Sequence, residues 1–248
     1  MKQFTPQADK RSARSDTASH LHQLNIRFVD RAKGIFGMTD GSQWPLEKIE
    51  GVVACFTPGT GIATPKGEVA VERLKKGDRV LTRDNGIQTI RWIGQKKLDH
   101  LQLKMLKELR PVLIKAGALG DGRPERDMMV SPMHRVLVHS DVAKRHFGES
   151  EVLVAAKDLL ALDGVSVEAV PYVTYVHFLC DHHEIVLSNG GWSESFQPAE
   201  LSLKGMDEAQ RAEIFGLFPE LSGKAGTKSY RAARRTVKSK EVSVLFSG

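Results

Sequence analysis

Cysteine is nearly missing from this chain: Cys55 and Cys180 are the whole complement. At most one disulfide is available, and 248 residues can bury a sizeable core without such a staple. Aromatic residues make up only 6%, and no ladder of them accompanies the basic residues as a base-stacking surface would require. No window reaches the roughly 18 apolar residues of a membrane helix, so a bilayer-spanning role is not expected. The first twenty residues, MKQFTPQADKRSARSDTASH, lack the apolar stretch of a secretory signal. Cytoplasmic residence is the default, although export without a classical signal would leave no trace in such a sequence. There is no repeat of fixed period, and no glycine-rich piece has phosphate-loop spacing.

What is present is ordinary in bulk, with 41% hydrophobic and 27% charged residues, and uneven in layout. Lys224, Lys228, Arg231, Arg234, Arg235, Lys238 and Lys240 crowd seven positive charges, without an acid, into one stretch. They exceed the net charge of +6, so the rest of the chain is close to neutral. The basicity belongs to a tail, read as a solvated and flexible extension; an acidic partner or nucleic acid is the alternative, with nucleic acid not expected.

The texture divides the chain into four parts. Residues 1–50 form a polar leader in which HLHQLNIRFVDRAKGIF is expected to be helical. Residues 51–200 carry short β-favouring runs punctuated by Gly, Pro and Asn, such as RVLT, QTIRWIG, MHRVLVH, VTYVHFLC and HEIVLSNG. The clearest hairpin is RVLT-RDNG-IQTIRWIG, turning at Asn85-Gly86. Residues 201–222 alternate charged and apolar residues at helical spacing, with Asp207 and Glu208 placed to open a helix. Residues 223–248 are the basic tail.

Cys55 heads the run Cys55-Phe-Thr-Pro-Gly59-Thr60-Gly-Ile62-Ala-Thr64-Pro-Lys-Gly67. An ordinary thiol is only a few per cent thiolate at neutral pH, yet that fraction is strongly nucleophilic, and the nearest electrophile is the preceding carbonyl, that of Ala54. Attack there converts an amide into a thioester. The step is uphill, because amide resonance is lost, so the fold has to twist the bond or stabilise the developing charge.

This run, continued by Val71-Glu72-Arg-Leu74-Lys-Lys-Gly77-Asp78-Arg-Val80-Leu81-Thr82, resembles the first block of the Hedgehog/intein (Hint) domain family. Val130-Ser131-Pro132-Met133-His134-Arg135-Val136-Leu137-Val138 resembles its second block, in which a hydroxyl residue stands three before a histidine. Tyr175-Val-His177-Phe-Leu-Cys180-Asp181-His182-His183-Glu184-Ile185-Val186, with Glu194-Ser195-Phe196 after it, resembles the late block of a bacterial Hint subgroup. The resemblance implies an all-β, horseshoe-like fold, flanked here by short helical N- and C-terminal extensions. It implies Cys55 as nucleophile, His134 as the group that protonates the departing nitrogen, and Ser131 as a supporting hydrogen-bond donor; imidazole suits the acid role because its pKa lies near neutrality. No cofactor is needed.

Two departures narrow the activity. A splicing intein ends in His-Asn followed by a nucleophile, whereas this chain runs on for 58 residues beyond Gly190. The aspartate that splicing inteins carry early in the late block falls near Val176, counting back from His183, and is missing. No sterol-transfer region of the Hedgehog kind is evident. The expectation is therefore a single-turnover, cysteine-dependent self-cleavage whose substrate is the segment ending at Ala54, resolved by water or by a protein or small nucleophile. The rival is a catalytically silent Hint-fold binding or scaffolding module.

Cys180-Asp181-His182-His183 contains zinc-ligand types, but in a strand Cys180 and His182 share one face while Asp181 and His183 share the other, so no metal site is expected. Asp181 and His183 are the pair expected to face the active centre, with His177 a weaker candidate on the same face. Asn189-Gly190 is read as a tight turn in preference to a self-cleaving bond.

Overall fold

The computed structural model describes residues 26–30, 35–38, 43–45, 54–198, 208–222 and 230–246. It consists of two units, Met1–Ile49 and Glu50–Gly248. In the first, β1 (Ile26–Asp30), β2 (Ile35–Met38) and β3 (Gln43–Pro45) form an antiparallel sheet in chain order. The helix expected from HLHQLNIRFVDRAKGIF is thus strand wherever it is described. Ile26, Phe28, Val29, Ile35 and Phe36 are β-branched or aromatic, which favours an extended backbone over a helix of this length.

The second unit is mainly β. Its hairpins are β4 (Gly61–Thr64) with β5 (Gly67–Ala70), and β6 (Arg79–Leu81) with β7 (Ile87–Thr89), the latter around Asn85-Gly86 as expected. A long strand, β8 (Trp92–Leu98), leads to the short helix α1 (His100–Met105). There follow β9 (Val112–Ile114), β10 (Met128–Val130), β11 (Arg135–His139), α2 (Asp141–Phe147), β12 (Glu151–Ala155), β13 (Val165–Val167), β14 (Val173–Leu179), β15 (Ile185–Ser188) and β16 (Gly191–Glu194). The largest sheet has the order β12-β11-β16-β15-β4-β5, with a second of order β10-β9-β13. β8 and β14 pair antiparallel along their full length, from Trp92 opposite Leu179 to Leu98 opposite Val173.

The core beneath these sheets is rich in β-branched residues, including Ile62, Val80, Val112, Val130, Val136, Val154, Val176 and Val186. Their stiff side chains fit a pleated surface and leave little freedom to lose on folding. Between β15 and β16 the chain turns in two residues, Asn189 (φ +45°) and Gly190 (φ +76°), the left-handed pair that matches strand twist. Asn189 is tied down further: its Oδ1 accepts from the Gly61 amide at 2.7 Å and its Nδ2 donates to the Asp127 carbonyl at 2.8 Å. That side chain is occupied as a brace, in keeping with the turn expectation.

After the body come α3 (Glu208–Leu217), a 3-10 turn at Pro219–Ser222, and α4 (Ser239–Leu245). Asp207, expected to help open α3, lies outside the described residues. The basic tail departs from expectation: where described it is docked, not a loose extension. Leu153 and the strap at 235–237 exchange backbone hydrogen bonds, Leu153 N to Arg235 O at 2.8 Å and Val237 N to Leu153 O at 2.9 Å. Val237, Val242 and Leu245 enter the main core. The Arg234 guanidinium bridges Asp84 at 2.7 Å and Glu151 at 2.8 Å, and Arg83 also pairs with Glu151. Apolar residues interleaved with the positive charges explain the difference: Val237 and the Val242/Leu245 stripe have somewhere to be buried, and the acids come from distant parts of the chain, Asp84 from the β6–β7 turn and Glu151 from the start of β12. Among the described residues no helix is long and apolar enough to cross a membrane.

Candidate active site

Cys55 lies on an irregular segment just ahead of β4, held between β10 and β14. Phe56 bridges to both strands, exchanging hydrogen bonds with Val176 (Phe56 N to Val176 O 2.8 Å, Val176 N to Phe56 O 2.9 Å) and aligning with Val130. The corner after β10 completes the grip on Cys55. The Ser131 amide donates to the Cys55 carbonyl at 2.9 Å, and the Cys55 amide donates to Ser131 Oγ at 2.9 Å. The nitrogen of the Ala54–Cys55 bond is therefore fixed in direction by the serine hydroxyl. Toward that amide Ser131 is an acceptor, not the donor expected from the sequence.

The thiol is fully buried, and burial drives its pKa well above the ordinary value; nearby Lys96 works against that rise and Glu194 adds to it. A thiol that holds its proton needs a base in contact, and one is present: His177 Nδ1 lies 3.0 Å from Cys55 Sγ. The His177 ring sits in a slot between Trp92 (ring centroids 5.1 Å) and Phe196 (5.2 Å). Across the β8–β14 pair it faces Gly94. A Cβ at Gly94 would stand 2.3 Å from the Trp92 ring and 3.0 Å from His177 Nε2, so the slot requires a residue without a side chain there.

His134 closes the same corner, its amide donating to the Ser131 carbonyl at 3.0 Å. Its ring packs edge-on against Phe56 at 4.4 Å. Both ring nitrogens are buried without a hydrogen-bond partner among the described residues. Burial pushes its pKa down to about 4, Glu194 resisting and Arg135 and His183 assisting. His134 is therefore neutral near pH 7, with hydrogen-bonding capacity unspent.

His183 and Asp181, expected to face the active centre together, are separated. His183 is buried, with Nδ1 accepting from the Ala233 amide at 2.9 Å and Nε2 3.1 Å from Glu194 Oε2. The first bond fixes the tautomer, so Nε2 carries the proton and donates to the carboxylate. Glu194 also receives the Arg135 amide at 2.9 Å and its guanidinium at 3.0 Å. Burial opposes ionisation of Glu194, but Arg135, His183 and His134 outweigh it and hold the pKa below the usual carboxylate value. Asp181 is on the surface in a bidentate pair with Arg91, at 2.9 and 2.8 Å. Strand alternation fails here because β14 ends at Leu179; 180–184 form a bend in which neighbouring side chains no longer alternate. Cys180 is buried and free, its thiol pushed up to about 12 by burial first and then by nearby carboxylates. Among the described residues no cluster of His, Cys, Asp and Glu is arranged to hold a metal ion.

His177 is the residue that outranks its sequence-based placing. Counting back from His183 puts the missing acid at Val176, whose side chain belongs to the core. A shift of one residue along a strand reverses the face, and it is the next residue that meets the thiol.

A sequence profile described as a Hint domain matches residues 54–200. No curated protein matches the chain significantly. Among solved structures, it is similar to a bacterial intein-like domain from Clostridium thermocellum at 16% identity, covering 58% of this chain and 99% of that one with a TM-score of 0.40. It is also similar to the MchDnaB-1 intein (13% identity, 57% and 99% covered, TM-score 0.36). A DnaB intein from Synechocystis sp. PCC 6803 is a further match (10% identity, 57% and 98% covered, TM-score 0.34).

Proposed function

Because the chain belongs to the Hint-domain family, whose fold is that of autoprocessing domains, we propose that it cleaves itself at the Ala54–Cys55 bond through an N-to-S acyl shift. The observation that carries this reading is the contact of His177 Nδ1 with Cys55 Sγ at 3.0 Å, beside an amide pinned by Ser131 at 2.9 Å. The Cys55 thiol passes its proton to His177 as sulfur attacks the Ala54 carbonyl carbon. The carbon–sulfur bond forms, the bond to the Cys55 nitrogen breaks, and that nitrogen takes up a proton to become an amine. His134 is the candidate partner for this nitrogen, since it closes the same corner and its ring nitrogens have no hydrogen-bond partner among the described residues. Because its resting form is neutral, it hydrogen-bonds to the departing nitrogen, and the proton that His177 took from the thiol is the one that passes to that nitrogen, so no net proton is gained or lost.

The thioester is then resolved by water or another nucleophile, which separates the segment ending at Ala54 from the chain beginning at Cys55. Intact-mass measurement over time, with and without dithiothreitol, tests the proposal on the wild type beside Cys55→Ala. Thiol-dependent cleavage at this bond in the wild type alone supports it. An unchanged mass under every condition favours the alternative, a silent Hint-fold binding module, for which the raised thiol pKa is the one favouring observation.

A further inference from the structure

We infer that α3, the turn after it and Tyr230 form a removable cover over the acyl side of the Ala54–Cys55 bond, and that lifting this cover lets a nucleophile resolve the thioester. The role in resolution rests on the acyl shift proposed above. The cover is part of a small hydrophobic cluster distinct from the main core. Trp92, Leu179 and Phe196 supply the body's side of it; Ile214, Phe218, Leu221 and Tyr230 supply the other. Ala54, the residue that carries the reacting carbonyl, packs against this cluster. The same Trp92 and Phe196 form the walls of the His177 slot, so the cover rests directly on the lining of the site.

Its polar attachments among the described residues are single side-chain hydrogen bonds, among them Gln210 Nε2 donating to the Gln95 carbonyl at 3.1 Å. Glu213 Oε2 accepts from Trp92 Nε1 at 2.8 Å, Tyr230 donates its hydroxyl to the Cys180 carbonyl at 3.0 Å, and Gln197 Nε2 donates to the Tyr230 carbonyl at 3.2 Å. Of the ten residues of α3, Ile214 is the one that is buried. The cover, with Ile214, Phe218, Leu221 and Tyr230 buried and Phe215 packed beside them, belongs to a smaller cluster than the main core that holds α4 through Val242 and Leu245, and a small satellite cluster opens more readily than the main core. With the cover closed, the Cys55 thiol has no exposed surface and Ala54 is half-buried against the cluster. The uphill acyl shift then reverses faster than a nucleophile reaches the half-buried acyl carbon. Open, a nucleophile's oxygen or sulfur attacks the Ala54 carbonyl carbon, the carbon–sulfur bond breaks, and the nucleophile's proton passes to Cys55 Sγ. Commitment is set by access, not by the shift itself.

The test uses the full chain carrying Ile214→Asp, with Glu213→Gln as a milder variant and Val242→Ala as a control that loosens α4 away from the site. Two rates are followed: alkylation of Cys55 by iodoacetamide, and cleavage at Ala54–Cys55 with dithiothreitol. Ile214→Asp is expected to raise both by about tenfold or more, and Glu213→Gln by a smaller factor, as local opening without unfolding of the body does. Alkylation that is unchanged in Ile214→Asp, or equally fast in Val242→Ala, overturns the cover. Faster alkylation with no cleavage in any variant or in the wild type overturns the acyl shift and the role in resolution with it.

Discussion

His134 and His183 are both buried, to 1% and 3% exposure, yet their rings meet opposite surroundings. His183 has a partner at each nitrogen, the Ala233 amide and the Glu194 carboxylate, and Arg135 completes the charge balance. His134 has none among the described residues and packs against Phe56. A buried polar group without a partner costs stability, so such a group persists where a reacting atom will later use it. His183 is satisfied already, and its network reads as a scaffold that holds β11 to β16 behind the site. On the proposed acyl shift, chemistry belongs to the corner of Cys55, Ser131, His134 and His177, while Arg135, Glu194 and His183 form a satisfied network behind it.

The largest effect expected from breaking this contrast comes at the scaffold. Glu194→Ala leaves the Arg135 and His183 groups uncompensated and should cost about 3–5 kcal/mol in a denaturant titration. The reacting corner should respond in rate instead: His177→Gln, which keeps most of the slot between Trp92 and Phe196 filled, is expected to slow cleavage roughly 10²–10⁴-fold with a smaller loss of stability than Glu194→Ala, as loss of a positioned base does. A third prediction concerns pH. His134 is neutral in the folded protein down to about pH 4, while the unfolded chain takes up a proton below its ordinary value of 6.5. Folding stability should therefore fall as pH drops from about 6.5 to about 4, by about 3 kcal/mol, and His134→Gln should remove that part of the acid loss. Gly94→Ala should press Trp92 into His177 and lower stability by about 1–3 kcal/mol while slowing cleavage, as overpacking does. Smallest of all, Asp181→Asn should cost less than about 1 kcal/mol and leave cleavage unaltered, since its pair with Arg91 is exposed.

The fold of the body was legible because its signals are local. Short β-branched runs and the pairs Asn85-Gly86 and Asn189-Gly190 fix strands and turns within a few residues, and the blocks around Cys55 and His134 carry their own spacing. Contacts that join distant residues were not legible. Nothing within HLHQLNIRFVDRAKGIF reveals that Ile26–Asp30 will find a partner strand in Ile35–Met38. The basic tail read as solvated because the acids that receive Arg234 lie 150 and 83 residues away. At the site, His177 was the polar residue inside the apolar strand VTYVHFL, a signal in plain view, but its rank depended on the end of β14. Alternation carried past Leu179 gave Asp181 a place beside His183 that the bend at 180–184 denies it.

Trapping with hydroxylamine tests the acyl shift most directly. The account predicts that wild-type protein releases a fragment whose last residue is Ala54 carrying a hydroxamate, and that Cys55→Ala releases none. A full-length chain that stays intact in hydroxylamine, or a cut at any other bond, would contradict it.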